Sequence, residues 1–250
     1  MRTGRPQVRQ LALVADGGKR VPAAPINFDK GITCAVLPFT ADDRFGDMLA
    51  DDLIGELARF QNVSVAARGA SFALRDHAGD TQRVASELGV QFVLEGALRR
   101  LGADRMRIDV RLLDGESGQV IASERFEHSA DDLALNLDEV VRQITARMAP
   151  ELDMAGMRRA ERLPVGELRV QEMALRARAL LWRGSEAEDA AAIDTGLALA
   201  REALERDPRY ADGWRVLAFG HCLRGERGAF GPSSAADYEA ADAAAARLRG

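Results

Sequence analysis

The spacing of apolar positions changes several times between residues 32 and 148. Thr33–Phe39 (TCAVLPF) is a short apolar run closed by Pro38, the pattern of a buried strand. Phe45, Met48, Leu49, Leu53, Leu57 and Phe60 recur at i, i+3, i+4 spacing and predict a helix over 45–60. Asn62–Ala67 (NVSVAA) alternates and predicts a second strand. Asp80–Leu88 predicts a short helix that packs Val84 and Leu88 and ends at Gly89 in a left-handed cap. Three extended segments follow at about 91–100, 104–113 and 119–127. Leu101-Gly102-Ala103 and Asp114-Gly115-Glu116-Ser117-Gly118 supply the turns between them. Asp131–Met148 then predicts a helix burying Leu133, Leu137, Val140, Val141, Ile144 and Met148. The order β-α-β-α-β-β-β-α predicts an α/β (α+β) domain, a mixed sheet covered by helices rather than a doubly wound parallel one.

After Pro150 the pattern is different. Residues 165–250 are rich in alanine and helix formers, with breaks at Gly184, Pro208 and Gly225–Pro232. They predict helix pairs without strands, a second, all-α domain of helical-repeat type. Residues 1–31 hold Pro6, Pro22, Pro25 and Gly17-Gly18 with no sustained period, and read as a basic linker or arm. The division is therefore 1–31, 32–152 and 165–250.

Charge narrows the classes of function. The 250 residues carry a formal net charge of −5. Residues 1–30 hold six Lys/Arg against two acids, so the other 220 hold 28 against 37. An acidic body argues against direct contact with nucleic acid or anionic membrane, whose affinity grows with the phosphates neutralised. Cys34 and Cys222 lie far apart, make neither a disulfide framework nor a zinc set, and read as small buried hydrophobes. No run of 18 apolar residues exists, so no membrane span is expected. The N-terminus (MRTGRPQVRQLALVADGG) imitates a signal peptide, but its apolar core is about five residues where a working one needs roughly 7–15. The expected compartment is the cytoplasm, or the periplasm if the chain is part of a longer membrane-anchored protein.

Five arginines fall between Arg99 and Arg111. From Arg105 to Leu113, Met106, Ile108, Val110 and Leu112 point one way, and Arg105, Arg107, Asp109 and Arg111 the other. Residues 92–127 contain six arginines and seven acids, and no aromatic lies between Phe92 and Phe126. A base-stacking sheet would need exposed aromatics. The arginines are expected to form a solvated, ion-paired sheet face, with Arg107 and Arg111 its candidates for touching a protein partner.

The run TQRVASELGVQFVLEGALRRLGADRMRIDVRLLDGESGQVIASERFE, with CAVLPF at 34–39, FGDMLADDLIGELARFQNVSVAARGASF at 45–72 and LDEVVRQITARMAPEL at 137–152, resembles the FlgO-like, TolB amino-terminal-like domain of bacterial regulatory proteins. The resemblance covers about 32–152. In GLALAREALERDPRYADGWRVLAFGHCLRG, Pro208, Tyr210, Trp214 and Leu217 resemble a tetratricopeptide repeat junction, with Ala203 at a small-residue packing position. Ala218 departs from that pattern where it carries Gly, and His221 where it carries an aromatic. About two repeats are present where about three are needed for stability alone. The resemblance implies a non-catalytic sensory or protein-interaction module, normally joined to a class III adenylate/guanylate cyclase or to a winged-helix DNA-binding domain. It also suggests that the chain is a piece, or a reduced relative, of a longer signalling protein. A homo-oligomer through the unfinished helical end is one expectation, and a protein partner of unknown identity another.

No catalytic, metal-binding or cofactor-binding residue stands out, and no enzyme activity is expected. His77, His128 and His221 lie in three different elements; His77 and His128 read as loop residues and His221 as helical. Asp42, Asp43, Asp47, Asp51, Asp52 and Glu56 crowd the first helix but lack the loop geometry of a calcium site. GASF around Ser71 lacks a base and an elbow glycine pair, and no P-loop or Gly-x-Gly-x-x-Gly is present. Trp182, Tyr210 and Trp214 are expected to pack helix on helix, with lining of a peptide-binding groove as the alternative.

Overall fold

The computed structural model describes residues 12–14, 20–22, 31–41, 44–102, 104–226 and 234–248. The chain divides into two units, 1–28 with 32–152, and 29–31 with 153–250. Within the arm, β1 (Ala12–Val14) and β2 (Arg20–Pro22) pair antiparallel.

The first unit is built on a five-stranded sheet. Its strands are β3 (Ile32–Val36), β4 (Val63–Val65), β5 (Phe92–Leu101), β6 (Arg105–Asp114) and β7 (Val120–Ser129), in the order β4-β3-β5-β6-β7. The pairs β3–β4 and β3–β5 are parallel, and β5–β6 and β6–β7 antiparallel. The helices are α1 (Phe45–Leu57), α2 (Arg68–Phe72), α3 (Thr81–Leu88), α4 (Ala130–Leu135) and α5 (Leu137–Arg162). β4 and β5 flank β3, so right-handed crossovers put α1 and α3 on opposite faces. Ala35, Leu37 and Val93 pack with Val84, Ala85 and Leu88 of α3. On the opposite side of the strands Cys34, Val36, Leu94, Ile108, Val110 and Leu112 are buried, as are Leu49, Leu53 and Leu57 of α1 and Val140, Val141, Ile144 and Met148 of α5.

Local chemistry fixes the ends of these elements. The Asp80 side chain accepts from Arg83 N at 3.2 Å, and Gly89 closes α3 at φ 67°, where an L side chain would be strained. At the β6–β7 turn the Asp114 carboxylate accepts from Glu116 N, Ser117 N and Ser117 Oγ.

Several boundaries differ from the sequence reading. Met48 and Phe60, expected on the inner side of the first helix, are exposed, because α1 ends at Leu57 and its buried face runs Gly46, Leu49, Ala50, Leu53, Leu57. GASF lies in α2. The closing helix is interrupted at Asn136, and α5 runs on through Pro150 to Arg162.

The second unit is all-helical, an outcome that matches the expected α/β part followed by an all-α part. α6 (Val170–Ala187), α7 (Ala190–Arg206), α8 (Ala211–Glu226) and α9 (Ser234–Ala246) follow one another. Gly184 is not a break. It is buried inside α6, where a Cβ would stand 2.8 Å from Ile193 Cγ1, so the residue serves close helix approach. The chain turns instead at Glu188, whose φ of 55° caps α6. Leu181, Ile193, Leu197, Ala200, Leu204 and Val216 form the core, with Tyr210 and Trp214 packed against it.

Candidate functional site

The residues singled out in the sheet are held by the meander. Arg107 faces Glu127 across β6–β7, and their side chains pair at 3.0 Å, with Arg105 on the same carboxylate at 3.5 Å. Arg125 pairs with Asp109 at 3.1 Å and Arg111 with Glu95 at 2.7 Å. The alternation therefore builds a polar face whose arginines are answered by carboxylates on neighbouring strands. Such half-exposed pairs are worth about 0.2–1 kcal/mol each and act mainly on register.

Next to this face, where the chain leaves β3, lies a cleft of about 510 Å³. Pro38, Thr40 and Ala41 form one side, Ala78 and Gly79 another, and Glu95–Arg100 with Arg111 the rest. Thr40 bridges Ala97, donating its N–H to Gly96 O at 2.9 Å and accepting from Leu98 N at 2.8 Å. Gly96 is required there: a Cβ would meet the Phe39 ring at 2.4 Å. The cleft carries three arginines and one glutamate, the latter turned to Arg111.

A second cleft, about 700 Å³, lies between α1 and the start of α5, lined by Asp51, Asp52, Gly55, Glu56, Arg59, Asp138, Val141 and Arg142. Its acids are partly neutralised, Asp51 by Arg68 at 3.2 Å and Glu56 by Arg59 at 3.0 Å, while Asp47 pairs with Arg75 at 2.7 Å. Burial, then the charges of Asp138 and Asp51, push the Asp52 carboxyl up. Asp42 and Asp43 lie outside the described residues. Among the described residues no three His, Cys, Asp or Glu side chains are grouped to hold a metal ion.

In the helical unit the three large aromatics part company. Trp182 on α6 leaves about half its surface exposed, with its ring 5.6 Å from that of Phe219. Trp214 donates its Nε1–H to Pro208 O at 2.9 Å, and the Arg247 guanidinium stands 5.7 Å from its ring. Tyr210 sits between α7 and α8, its hydroxyl buried without a hydrogen-bond partner; burial, and next the Asp212 carboxylate, push its phenol up.

Sequence reasoning missed a charged cluster around His221. His221 Nδ1 lies 2.8 Å from Asp237 Oδ1, and Arg224 Nε donates to the same oxygen at 2.8 Å. Arg201 Nη2 approaches His221 Nε2 at 3.2 Å. Arginine can only donate, so as a hydrogen bond this contact uses Nε2 as the acceptor. Asp237 is 16 residues from His221, beyond any helical spacing, so no local signal announced the pair. Of the other histidines, His77 lies in a 3-10 turn, and His128, read as a loop residue, is in β7 because that strand extends to Ser129. Ser71 is fully buried and its hydroxyl has no partner. The Cys34 thiol is pushed up to about 12 by burial, the state of an inert core cysteine; Cys222 is half-buried.

These features define an α/β unit with an ion-paired sheet face and an all-helical unit behind it in the chain. Over residues 30–145 the chain matches the family described as "HilA/YgeH-like transcriptional regulator, second domain". It is 33% identical over 155 residues to "Putative adenylate cyclase 3" of Rhizobium meliloti (strain 1021); the match covers 60% of this chain and 25% of that protein. The chain thus spans about a quarter of the length of this curated relative. Among solved structures it is similar to TolB from Acinetobacter baumannii, with 15% identity, a TM-score of 0.37 and coverage of 52% of this chain and 29% of that one. It is also similar to lipoprotein GNA1162 from Neisseria meningitidis, with 16% identity, a TM-score of 0.35 and coverage of 45% and 96%. The likeness to a transcriptional regulator's second domain falls on the α/β unit. No helix among the described residues is long and apolar enough to cross a membrane.

Proposed function

We propose that this chain is a non-catalytic regulatory module of a bacterial signalling protein. In this reading its α/β unit and its helical unit bind a protein partner and pass that state to an output domain. The observation that carries the reading is the match of residues 30–145 to a family described as the second domain of a transcriptional regulator. The geometry supports it: Arg107, Arg111 and Arg125 of the sheet are matched to carboxylates, and the histidines lie in separate elements. The succession of α6–α7 and α8–α9 supports reading the helical unit as tetratricopeptide-type repeats, with the exposed ring of Trp182 on the partner side.

Two outputs are compatible. The Rhizobium meliloti match favours the regulatory portion of a class III adenylate/guanylate cyclase. The family description favours the second domain of a transcriptional regulator, which we read as one with a winged-helix output. The purified chain is to be incubated with ATP or GTP and a divalent cation, and separately titrated with duplex DNA. The reading expects no cyclic nucleotide and no retardation of DNA at physiological salt. Cyclic nucleotide formed by the chain on its own would overturn it.

A further inference from the structure

We propose that β7 is a contact between two copies of this chain, the strands pairing antiparallel about a twofold axis through Phe126. The two five-stranded sheets then join edge to edge. This inference is independent of the output domain.

The sheet has two edges of unequal length, β4 with three residues and β7 with ten. Among the described residues, β7 pairs with β6 on one side, and no other strand borders it. A long strand with an open side is a template for another strand unless charge or a bulge guards it. The charges on β7 do more than guard, because their order is self-complementary.

A twofold axis perpendicular to the sheet keeps each face continuous, so it must pass through a residue position. Centred on Phe126, it sets Arg125 against Glu127 of the second copy twice, Glu124 against His128 twice, and Ser123 against Ser129. Moved one residue either way, it sets Arg125 or Glu127 against itself. The favoured register also extends rows already present. Asp109 pairs with Arg125 at 3.1 Å, and Arg107 with Glu127 at 3.0 Å. Across the seam the row reads Asp109, Arg125, then Glu127 and Arg107 of the second copy, alternating in sign over four strands. Opposite charges placed directly across strands stabilise a pair, and like charges destabilise it.

The test is the mass of the full chain in solution by light scattering, across a wide range of concentration. The expected result is a shift from 27.1 kDa toward twice that mass as concentration rises. Arg125→Glu and Glu127→Arg, each creating two like-charge contacts across the axis, should each weaken association by roughly tenfold or more. The exchange carrying both should recover it, although it breaks the pairing with Asp109 and Arg107 inside each chain. Circular dichroism of each variant checks that these surface changes leave the fold intact. As a second measurement, Ser123→Cys with Ser129→Cys should yield a covalent dimer on oxidation, and Ser123→Cys alone should not. A monomer at every concentration overturns the proposal. So does a dimer indifferent to both single charge reversals, or one that the cysteine pair fails to trap.

Discussion

Replacing Asp237 by alanine removes the acceptor shared by Arg224 and His221. The Asp237 side chain is 3% exposed, and α9 carries it against two groups of α8. Hydrogen bonds from Arg224 hold its carboxyl at about 2, down from an ordinary 3.8; burial opposes this, and the bond from His221 adds to it. That displacement is worth about 2 kcal/mol of folding stability. The alanine variant also removes the acceptor of the buried His221 and the half-buried Arg224. Asp194, 3.1 Å from Arg224 and mostly exposed, is a weak substitute. The expected loss at neutral pH is therefore about 3 kcal/mol. The pH dependence has a definite sign. A carboxyl depressed in the folded state stabilises fully above its ordinary value, and the contribution disappears as pH falls from about 4 through about 2. Urea unfolding followed by circular dichroism, for parent and variant at pH 7 and near pH 3, measures both effects. The gap between them should narrow at the lower pH. A loss below about 1 kcal/mol at pH 7, or a gap that does not narrow, would refute the assignment of α9 docking to this carboxylate.

Gly96→Ala should destabilise the α/β unit by about 1–3 kcal/mol, read as a lowered urea midpoint, because its Cβ would lie 2.4 Å from Phe39 and 2.7 Å from the Asp109 carbonyl. Glu188→Gly should stabilise the helical unit by about 0.5–1 kcal/mol, read as a raised melting temperature, since Glu188 holds a left-handed φ of 55°. Ile144→Ala should cost about 2–5 kcal/mol in the same urea assay, as the side chain is fully buried on α5.

The meander was the most legible part of the fold. Strict alternation from Arg105 to Leu113 separates an apolar face from a charged one, and the supply of seven acids to six arginines over 92–127 already indicated pairing across strands. Gly89 marked the end of α3 because a left-handed cap is local chemistry. What escaped was set by distant contacts or by short length. α2 has five residues, too few for a helical period to show. Gly184 read as a break because glycine disfavours helices in isolation; packing against Ile193 decides the outcome there. The Asp237 cluster joins residues from α7, α8 and α9, so only the folded unit assembles it.

The central claim is that this chain regulates an attached output and performs no chemistry itself. The most direct measurement replaces the 155-residue matching segment of the Rhizobium meliloti relative with the corresponding part of this chain and records cyclic AMP formed from ATP. The account predicts a hybrid whose cyclic AMP output differs from that of the relative with the segment deleted, and changes again when Arg111 of the insert is replaced. A hybrid indistinguishable from the deletion, whatever is changed in the insert, would contradict it.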